Sequence, residues 1–164
     1  MSKKLNLTAI KDNNKKYKEK KRVELSDGSH LFIYPHFSKP DMIKVFKIVF
    51  DEYNNPENKK LLKDIPAGLW TSFSMVAKFS DLGIPQAGLK NRILAFNELL
   101  KFDLYEEILG SFPKESVDKF NEVGENYYSS LNELLTGSMD NLQEVLADKV
   151  EELEKEAENE EISE

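Results

Sequence analysis

The spacing of apolar residues changes at Pro35, and this change restricts the folds that the chain can adopt. Before Pro35, residues 23–34 carry the β pattern of two short strands around an Asp-Gly pair, which suits a hairpin turn. After Pro35, apolar residues recur every three or four positions, as they do along one face of an α-helix. The chain is therefore predicted to be α+β, mostly α, with an N-terminal β-hairpin followed by a bundle of five or six helices.

The hairpin is predicted to turn on two residues, the Asp-Gly pair at positions 27 and 28. That turn pairs Val23 with Phe32 and places Leu31 and Ile33 together on the opposite face. An isolated hairpin is marginally stable in water, so this one must pack on helices or join the sheet of another chain. Leu31 and Ile33 are therefore predicted to form part of a partner-binding surface.

Capping residues and prolines divide the helical part of the chain. Ser38, followed three positions later by Asp41, is a predicted helix N-cap. Trp70 and Phe73 lie on a wide apolar helical face, and the sequence leaves open whether they belong to the core or form an exposed anchor. Further helices are predicted to begin at three prolines: Pro66, Pro85 and Pro113.

The last predicted helix carries a narrow apolar stripe among acidic residues. The helix before it is predicted to stop at Gly137, and Ser138 is predicted to cap the new one. The sequence leaves open whether this last helix caps the bundle or detaches to pair with another helix or another copy. Its stripe supplies the other predicted partner-binding residues: Leu142, Val145, Leu146, Val150 and Leu153.

Charge divides the chain into three regions. Residues 1–22 carry nine basic and two acidic residues, a net charge of +7, whereas residues 140–164 carry two basic and 11 acidic residues, a net charge of −9. The first region also has too few apolar residues to offset the entropy of ordering it. The predicted domains are a basic, mostly disordered arm (1–22), a hairpin plus helical body (23–137), and an acidic C-terminal helix with a frayed tail (138–164).

The basic arm permits three interpretations: a solubilising tail, a docking arm for a protein, or a nucleic-acid-binding segment. Its lysines could neutralise phosphates, and Tyr17 could stack on a base. The acidic body would repel a polyanion, which argues against nucleic acid as the main partner. A small nucleic-acid-binding regulator is the alternative function.

The residue inventory offers little of the chemistry that enzymes use. The chain has no cysteine, and its two histidines, His30 and His36, have no third ligand fixed nearby by helical spacing. No glycine-rich phosphate loop is present, and no apolar run approaches the roughly 20 residues that span a bilayer. We therefore expect a cytoplasmic protein that is not an enzyme, has no catalytic residues, cofactor or metal, and does not enter a membrane.

The order of features resembles the tail assembly chaperones of long-tailed (siphovirus-type) bacteriophages and prophages. The resemblance is one of pattern over most of the chain, without a diagnostic motif. A Lys-rich start leads into a short β unit and an aliphatic–aromatic helix, and a helical body and an acidic end follow. The two stretches that carry the resemblance are RVELSDGSHLFIYPHFSKPDMIKVFKIVF and GSFPKESVDKFNEVGENYYSSLNELL.

This resemblance implies a non-enzymatic role in building the phage tail. Such chaperones hold the tape-measure protein in soluble form, help to recruit tail-tube protein, and are absent from the mature virion. The tape-measure and tail-tube proteins are thus the implied partners, in the host cytoplasm. The hairpin residues and the apolar stripe of the last helix are the surfaces expected to bind them, and either could also mediate self-association.

Overall fold

The computed structural model describes the backbone of residues 4–161 and the side chains of residues 4–143. Within these residues the fold has two strands and seven α-helices, which confirms the predicted class: an N-terminal hairpin and, after it, six helices. The strands are β1 (Lys21–Glu24) and β2 (His30–Ile33), and the helices are α1 (Leu7–Asn13), α2 (Lys39–Asn54), α3 (Lys59–Leu62), α4 (Ala67–Phe79), α5 (Leu89–Leu100), α6 (Tyr105–Gly110) and α7 (Lys114–Glu161).

The chain divides into two compact units. The first, Met1–Gly124, contains the hairpin, helices α1–α6 and the first part of α7. The second, Glu125–Glu164, contains the remainder of α7. The apolar core described below belongs to the first unit.

The hairpin forms where it is predicted, but its register differs by one residue. Val23 pairs with Leu31 rather than with Phe32. The turn has three residues instead of two, because the Leu25 N–H donates to the Ser29 carbonyl and the Gly28 N–H donates to the Leu25 carbonyl. Gly28 takes a positive φ of 84°, as the third residue of such a turn requires.

The second strand is covered on both edges. Its inner edge pairs with β1, and its outer edge meets the chain that follows α4. The Tyr34 N–H donates to the Phe79 carbonyl over 2.8 Å, and the Asp81 N–H donates to the Phe32 carbonyl over 3.0 Å. Within this chain, β2 is therefore satisfied by backbone partners and docked on α4.

Helix α2 begins at the predicted cap. The Asp41 N–H donates to Ser38 Oγ over 3.3 Å, and Ser38 Oγ donates in turn to the Asp41 carboxylate over 2.6 Å. One face of the helix is buried, and it is the face whose spacing predicted the helix: Met42, Val45, Phe46 and Val49. Its packing against α4 forms the centre of the first unit.

Aromatic rings fill much of this core. Trp70 and Phe73 are fully buried, so of the two interpretations of this pair the structure supports the core. Their ring centroids lie 5.0 Å apart, and Phe96 of α5 meets both rings at 5.3 Å. Phe37, just before α2, stacks on Phe79 with the centroids 3.9 Å apart.

The first part of α7 packs on α2 at close range. Phe120 stacks on Phe46 with the ring centroids 4.5 Å apart. One turn later, a Cβ atom on Gly124 would lie 2.5 Å from Phe46 Cζ, closer than two such atoms can approach. Gly124 therefore lets the α7 backbone lie directly on the Phe46 ring.

Helix α7 continues through Gly137 and Ser138, so the predicted break between two helices is wrong. A glycine inside a helix costs only about 1 kcal/mol relative to alanine, which a long helix can accommodate. Ser138 does not cap a new helix, because its Oγ donates back to the Leu134 carbonyl over 2.8 Å. The predicted domain boundary between residues 137 and 138 accordingly falls inside one helix.

The basic arm is more ordered than its composition predicts. The structure places α1 and a 3-10 turn (Asn14–Lys18) in residues 7–18, and β1 begins inside the arm at Lys21. The Asn6 side chain caps α1 by accepting from the Ala9 N–H over 2.9 Å. Lys20 lies over the Tyr34 ring, 5.5 Å from its centroid, which gives the arm a contact with the chain after β2.

Candidate partner-binding surface

The second unit exposes a run of large apolar side chains on α7. Leu134, Leu135, Met139 and Leu142 each have between 59% and 69% of their surface exposed. Every side chain from residue 132 to residue 143 is exposed, so these four are left uncovered by the part of the chain that the structure describes. We call these four residues the α7 stripe. Exposed apolar groups concentrated on one element are typical of a protein-binding surface.

The charge around the α7 stripe is strongly acidic. Residues 125–164 contain 13 acidic and two basic residues, a net charge of −11. Such a charge keeps an exposed apolar helix soluble and repels other polyanions. The surface therefore combines apolar contact area with selectivity for uncharged or basic partners.

The structure separates the two groups of residues that the sequence predicted to bind partners. Leu31 and Ile33 are buried, Ile33 completely, so the prediction that they form a partner-binding surface is wrong. The one-residue change in register and the docking of β2 on α4 turn both side chains into the core. Leu142 belongs to the α7 stripe, whereas the side chains of four others lie outside the described residues: Val145, Leu146, Val150 and Leu153.

Three stripe residues were not among the predicted partner-binding residues. Leu134 and Leu135 precede Gly137, the predicted helix end, and Met139 lies outside the stripe predicted after it. The spacing of three or four residues continues across Gly137 from Leu134 and Leu135 to Leu142. That continuity is the signal that identifies one helix with one stripe.

A buried ionic cluster lies in the first unit. The Arg92 guanidinium is only 1% exposed, and its Nε lies 3.1 Å from Glu52 Oε1 without forming a hydrogen bond. Arg92 Nη2 donates to Ser74 Oγ over 2.7 Å, while the Trp70 indole donates to Glu52 Oε2 over 2.6 Å. The guanidinium also lies over the rings of Trp70 and Phe73, 5.2 Å and 5.6 Å from their centroids.

This cluster links three helices rather than presenting a reactive group. Burial lowers the pKa of Arg92, and the nearby Glu52 carboxylate opposes that effect. A cavity of about 190 Å³ reaches the cluster, and Lys44 and Lys78 stand among its lining residues. Because almost none of Arg92 is accessible, the guanidinium serves to join α2, α4 and α5.

The histidines and carboxylates show no grouping suited to a metal in the part of the chain that the structure describes. His30 and His36 are both exposed. No cluster of three or more His, Asp or Glu side chains that could hold an ion occurs among the described residues. In the same residues, no helix is both long enough and apolar enough to cross a membrane.

Comparison with known proteins places the chain among proteins of prophage origin. The YomO family matches residues 7–163, and the chain belongs to that family. A relative from Bacillus subtilis (strain 168), described as an "SPbeta prophage-derived uncharacterized protein YomO", is 36% identical over 154 residues. The match covers 93% of this chain and 92% of the relative. No solved structure matches the chain.

Proposed function

We propose that this protein is a non-enzymatic assembly chaperone of a phage tail, which binds the tape-measure protein and helps to recruit tail-tube subunits in the host cytoplasm. The single observation that carries the proposal is the α7 stripe, an exposed apolar surface on an acidic helix. The kinship with a prophage-derived protein supports a phage context. The pattern resemblance to tail assembly chaperones supplies the specific role.

The stripe has the physical properties that such a role needs. Burying a leucine or methionine side chain against a client contributes about 1.5 to 3 kcal/mol for each residue. The surrounding negative charge keeps both the free chaperone and its complex from aggregating. Because helix-in-groove and helix-on-helix contacts use residues spaced by three and four, the client surface is expected to be helical.

Co-expression with the tape-measure protein of the same prophage tests this proposal. The soluble fraction of the client should rise with the wild-type chain and fall back when Leu135 and Met139 are both replaced by serine. Leu94→Ser provides a matched control, because Leu94 is equally exposed, at 65%, but lies on α5. No gain in client solubility with the wild-type chain, or an equal loss with Leu94→Ser, would contradict the proposed function.

The second candidate is a nucleic-acid-binding regulator that uses the basic arm. The observation that favours it is the net charge of +7 over residues 1–22, with Lys15 and Lys18 exposed on either side of the half-buried Lys16 and Tyr17. Retention of DNA or RNA that weakens with salt and disappears when residues 1–18 are deleted would support this function. The same deletion should leave client solubilisation unchanged if the chaperone proposal is right.

A further inference from the structure

The apolar residues of α7 follow an 11-residue repeat. Starting at Leu131, one series of apolar residues has separations of four, four and three, and the pattern then repeats: Leu131, Leu135, Met139, Leu142, Leu146, Val150, Leu153. Leu134 and Val145 flank this series. The same spacing already holds one repeat earlier, at Phe120, Gly124 and Tyr128. The backbone is helical across all of these positions. Three repeats in register make the spacing a property of the whole helix.

An 11-residue repeat differs physically from the seven-residue repeat of ordinary coiled coils. Eleven residues in three turns give about 3.67 residues per turn, close to the 3.6 of a straight helix. A seven-residue repeat gives 3.5 and winds two helices into a left-handed supercoil, whereas an 11-residue repeat favours a nearly straight or slightly right-handed pair. A partner helix with a matching repeat can therefore stay in contact with the repeat positions of α7 along their full length.

The first repeat shows how these positions pack. Phe120 stacks on Phe46 of α2, and Gly124 lies directly against the same ring. In the next repeat, Leu135 and Met139 are exposed. The same spacing is thus satisfied by a helix in the first unit and lacks a described partner in residues 132–143.

Charge selects the kind of partner. A second copy of α7 would bring its own acidic residues against those of the first, a net charge of −11 facing −11 over residues 125–164. Like charges flanking a helix pair are destabilising, and opposite charges determine partner choice. The acidic flanks therefore favour a basic helix over self-association.

We propose, resting on the proposed function, that the repeat positions of α7 from Leu135 to Leu153 bind a partner helix with an 11-residue apolar repeat and lysine- or arginine-rich flanks. This defines the client segment as a nearly straight, basic, amphipathic helix. Helix α7 and the client then form a two-helix contact in which apolar residues supply affinity and opposite charges supply selectivity.

Binding of designed helical peptides to the full-length chain tests this proposal. The first peptide carries leucines at the four-four-three spacing over two repeats and lysines at the flanking positions. A second has the same composition with a four-three spacing, and a third has glutamates in place of the lysines. Isothermal titration calorimetry should show that the first binds at least about tenfold more tightly than the second and that the third does not bind. The affinity of the first peptide should fall as salt is raised.

Insertions in α7 test whether the continuous stripe matters. One alanine inserted between Asp140 and Asn141 rotates the later repeat positions by about 100° relative to the earlier ones. This insertion should lower affinity for the first peptide about tenfold. Four inserted alanines rotate it by only about 40° and should restore most of that loss. Helix content from far-UV circular dichroism, and the fluorescence of Trp70 in the core, verify that both variants fold.

Three results would overturn the proposal: equal affinity for the two basic peptides, equal loss from both insertions, or no binding of the first peptide. A salt-insensitive dimer formed through α7 would overturn it as well. Each of these can occur while client solubilisation still depends on Leu135 and Met139, in which case the proposed function stands and the repeat does not define its partner. A wild-type chain that does not raise client solubility would instead contradict the proposed function.

Discussion

Gly124 determines how closely α7 approaches α2 in the first unit. Its missing side chain allows the α7 backbone to rest on the Phe46 ring, on which Phe120 of the preceding turn stacks. Protein interiors are close-packed, so an added methyl group at such a point must displace its neighbours. The effect of adding this methyl group can be measured against a control, because a second glycine of α7, Gly137, lies in open space.

We expect Gly124→Ala to lower the free energy of unfolding of the first unit by about 1 to 3 kcal/mol, despite the better helix propensity of alanine. Gly137→Ala is the matched control, because no atom lies within 4 Å of its added Cβ. That substitution should strengthen the helix by about 0.5 to 1 kcal/mol. Urea denaturation followed by Trp70 fluorescence measures the first effect, and far-UV circular dichroism measures the second. A stabilising Gly124→Ala would contradict the close packing of Gly124 on Phe46.

The Glu52 carboxylate is the counter-ion of the buried Arg92 guanidinium. Replacing Glu52 by glutamine keeps the size of the side chain and an acceptor for the Trp70 indole, but leaves a buried guanidinium without its counter-ion. Breaking a buried ion pair in this way costs about 3 to 5 kcal/mol. We expect Glu52→Gln to shift the urea midpoint by a corresponding amount.

The neighbouring residue supplies the control for that measurement. Asp51 forms an exposed ion pair with Lys47, and exposed pairs contribute about 1 kcal/mol or less. Asp51→Asn should therefore leave the midpoint nearly unchanged. If Arg92→Met combined with Glu52→Gln recovers much of the lost stability, the cost is that of the unpaired charge rather than of lost packing.

At the scale of elements, the N-terminus of α2 should make stability depend on pH. Burial of Asp41 opposes its ionisation, but hydrogen bonds from Ser38 and Lys78 outweigh that effect, so the pKa of Asp41 lies below its ordinary value of 3.8. A carboxylate whose pKa is lower in the folded state stabilises the fold fully above the ordinary pKa. That contribution is lost as the pH falls through the lower, folded-state value.

Urea midpoints measured between pH 3 and pH 7 test this dependence. We expect the wild-type chain to lose stability below about pH 4, and Asp41→Asn to show a smaller loss over the same interval. Ser38→Ala removes one of the hydrogen bonds to the carboxylate and should also cost about 1 kcal/mol as a lost cap. Asp64→Asn, at an exposed position, should leave the urea midpoint at pH 7 nearly unchanged. An unchanged profile for Asp41→Asn would contradict the assignment.

The elements that sequence spacing predicted well are those whose local signals agree. Ser38 and Asp41 cap α2, and Pro113 directly precedes α7, because capping and proline geometry act over a few residues. The hairpin was correct in position and wrong in register, since a two-residue and a three-residue turn both suit an Asp-Gly pair. Contacts with residues 79–81 accompany the observed register, and they are distant in sequence.

The candidate surface was only partly predictable, because burial also depends on contacts between residues that are distant in sequence. Leu142 could be identified from helical spacing, but the burial of Leu31 and Ile33 depends on how β2 docks on α4. Gly137 is a weak helix breaker, and nothing local distinguishes a helix end from a tolerated glycine there. The pairing of Arg92 with Glu52 joins residues 40 positions apart, beyond any local pattern.

At the scale of the whole molecule, the two units differ in what stabilises them. The first unit buries a core of aromatic and aliphatic side chains around Trp70 and Phe73. The side chains of residues 132–143 in the second unit are all exposed, so the helix there depends on backbone hydrogen bonds and helix propensity. Helices without tertiary packing are marginal in water, and local stability follows buried contact.

We therefore expect two separate unfolding transitions on heating. Trp70 is the single tryptophan of the chain and is fully buried, so its fluorescence reports on the first unit. Far-UV circular dichroism should begin to fall at a lower temperature, as residues 125–161 lose helix while the Trp70 signal stays constant. Gly137→Ala should move only the earlier transition, and Gly124→Ala mainly the later one. Hydrogen exchange should be correspondingly faster at the amides of residues 132–143 than at those of α4. Coincident transitions would show that the second unit is stabilised by contacts, and a basic helical peptide bound to the α7 stripe is expected to produce that coincidence by raising the earlier transition.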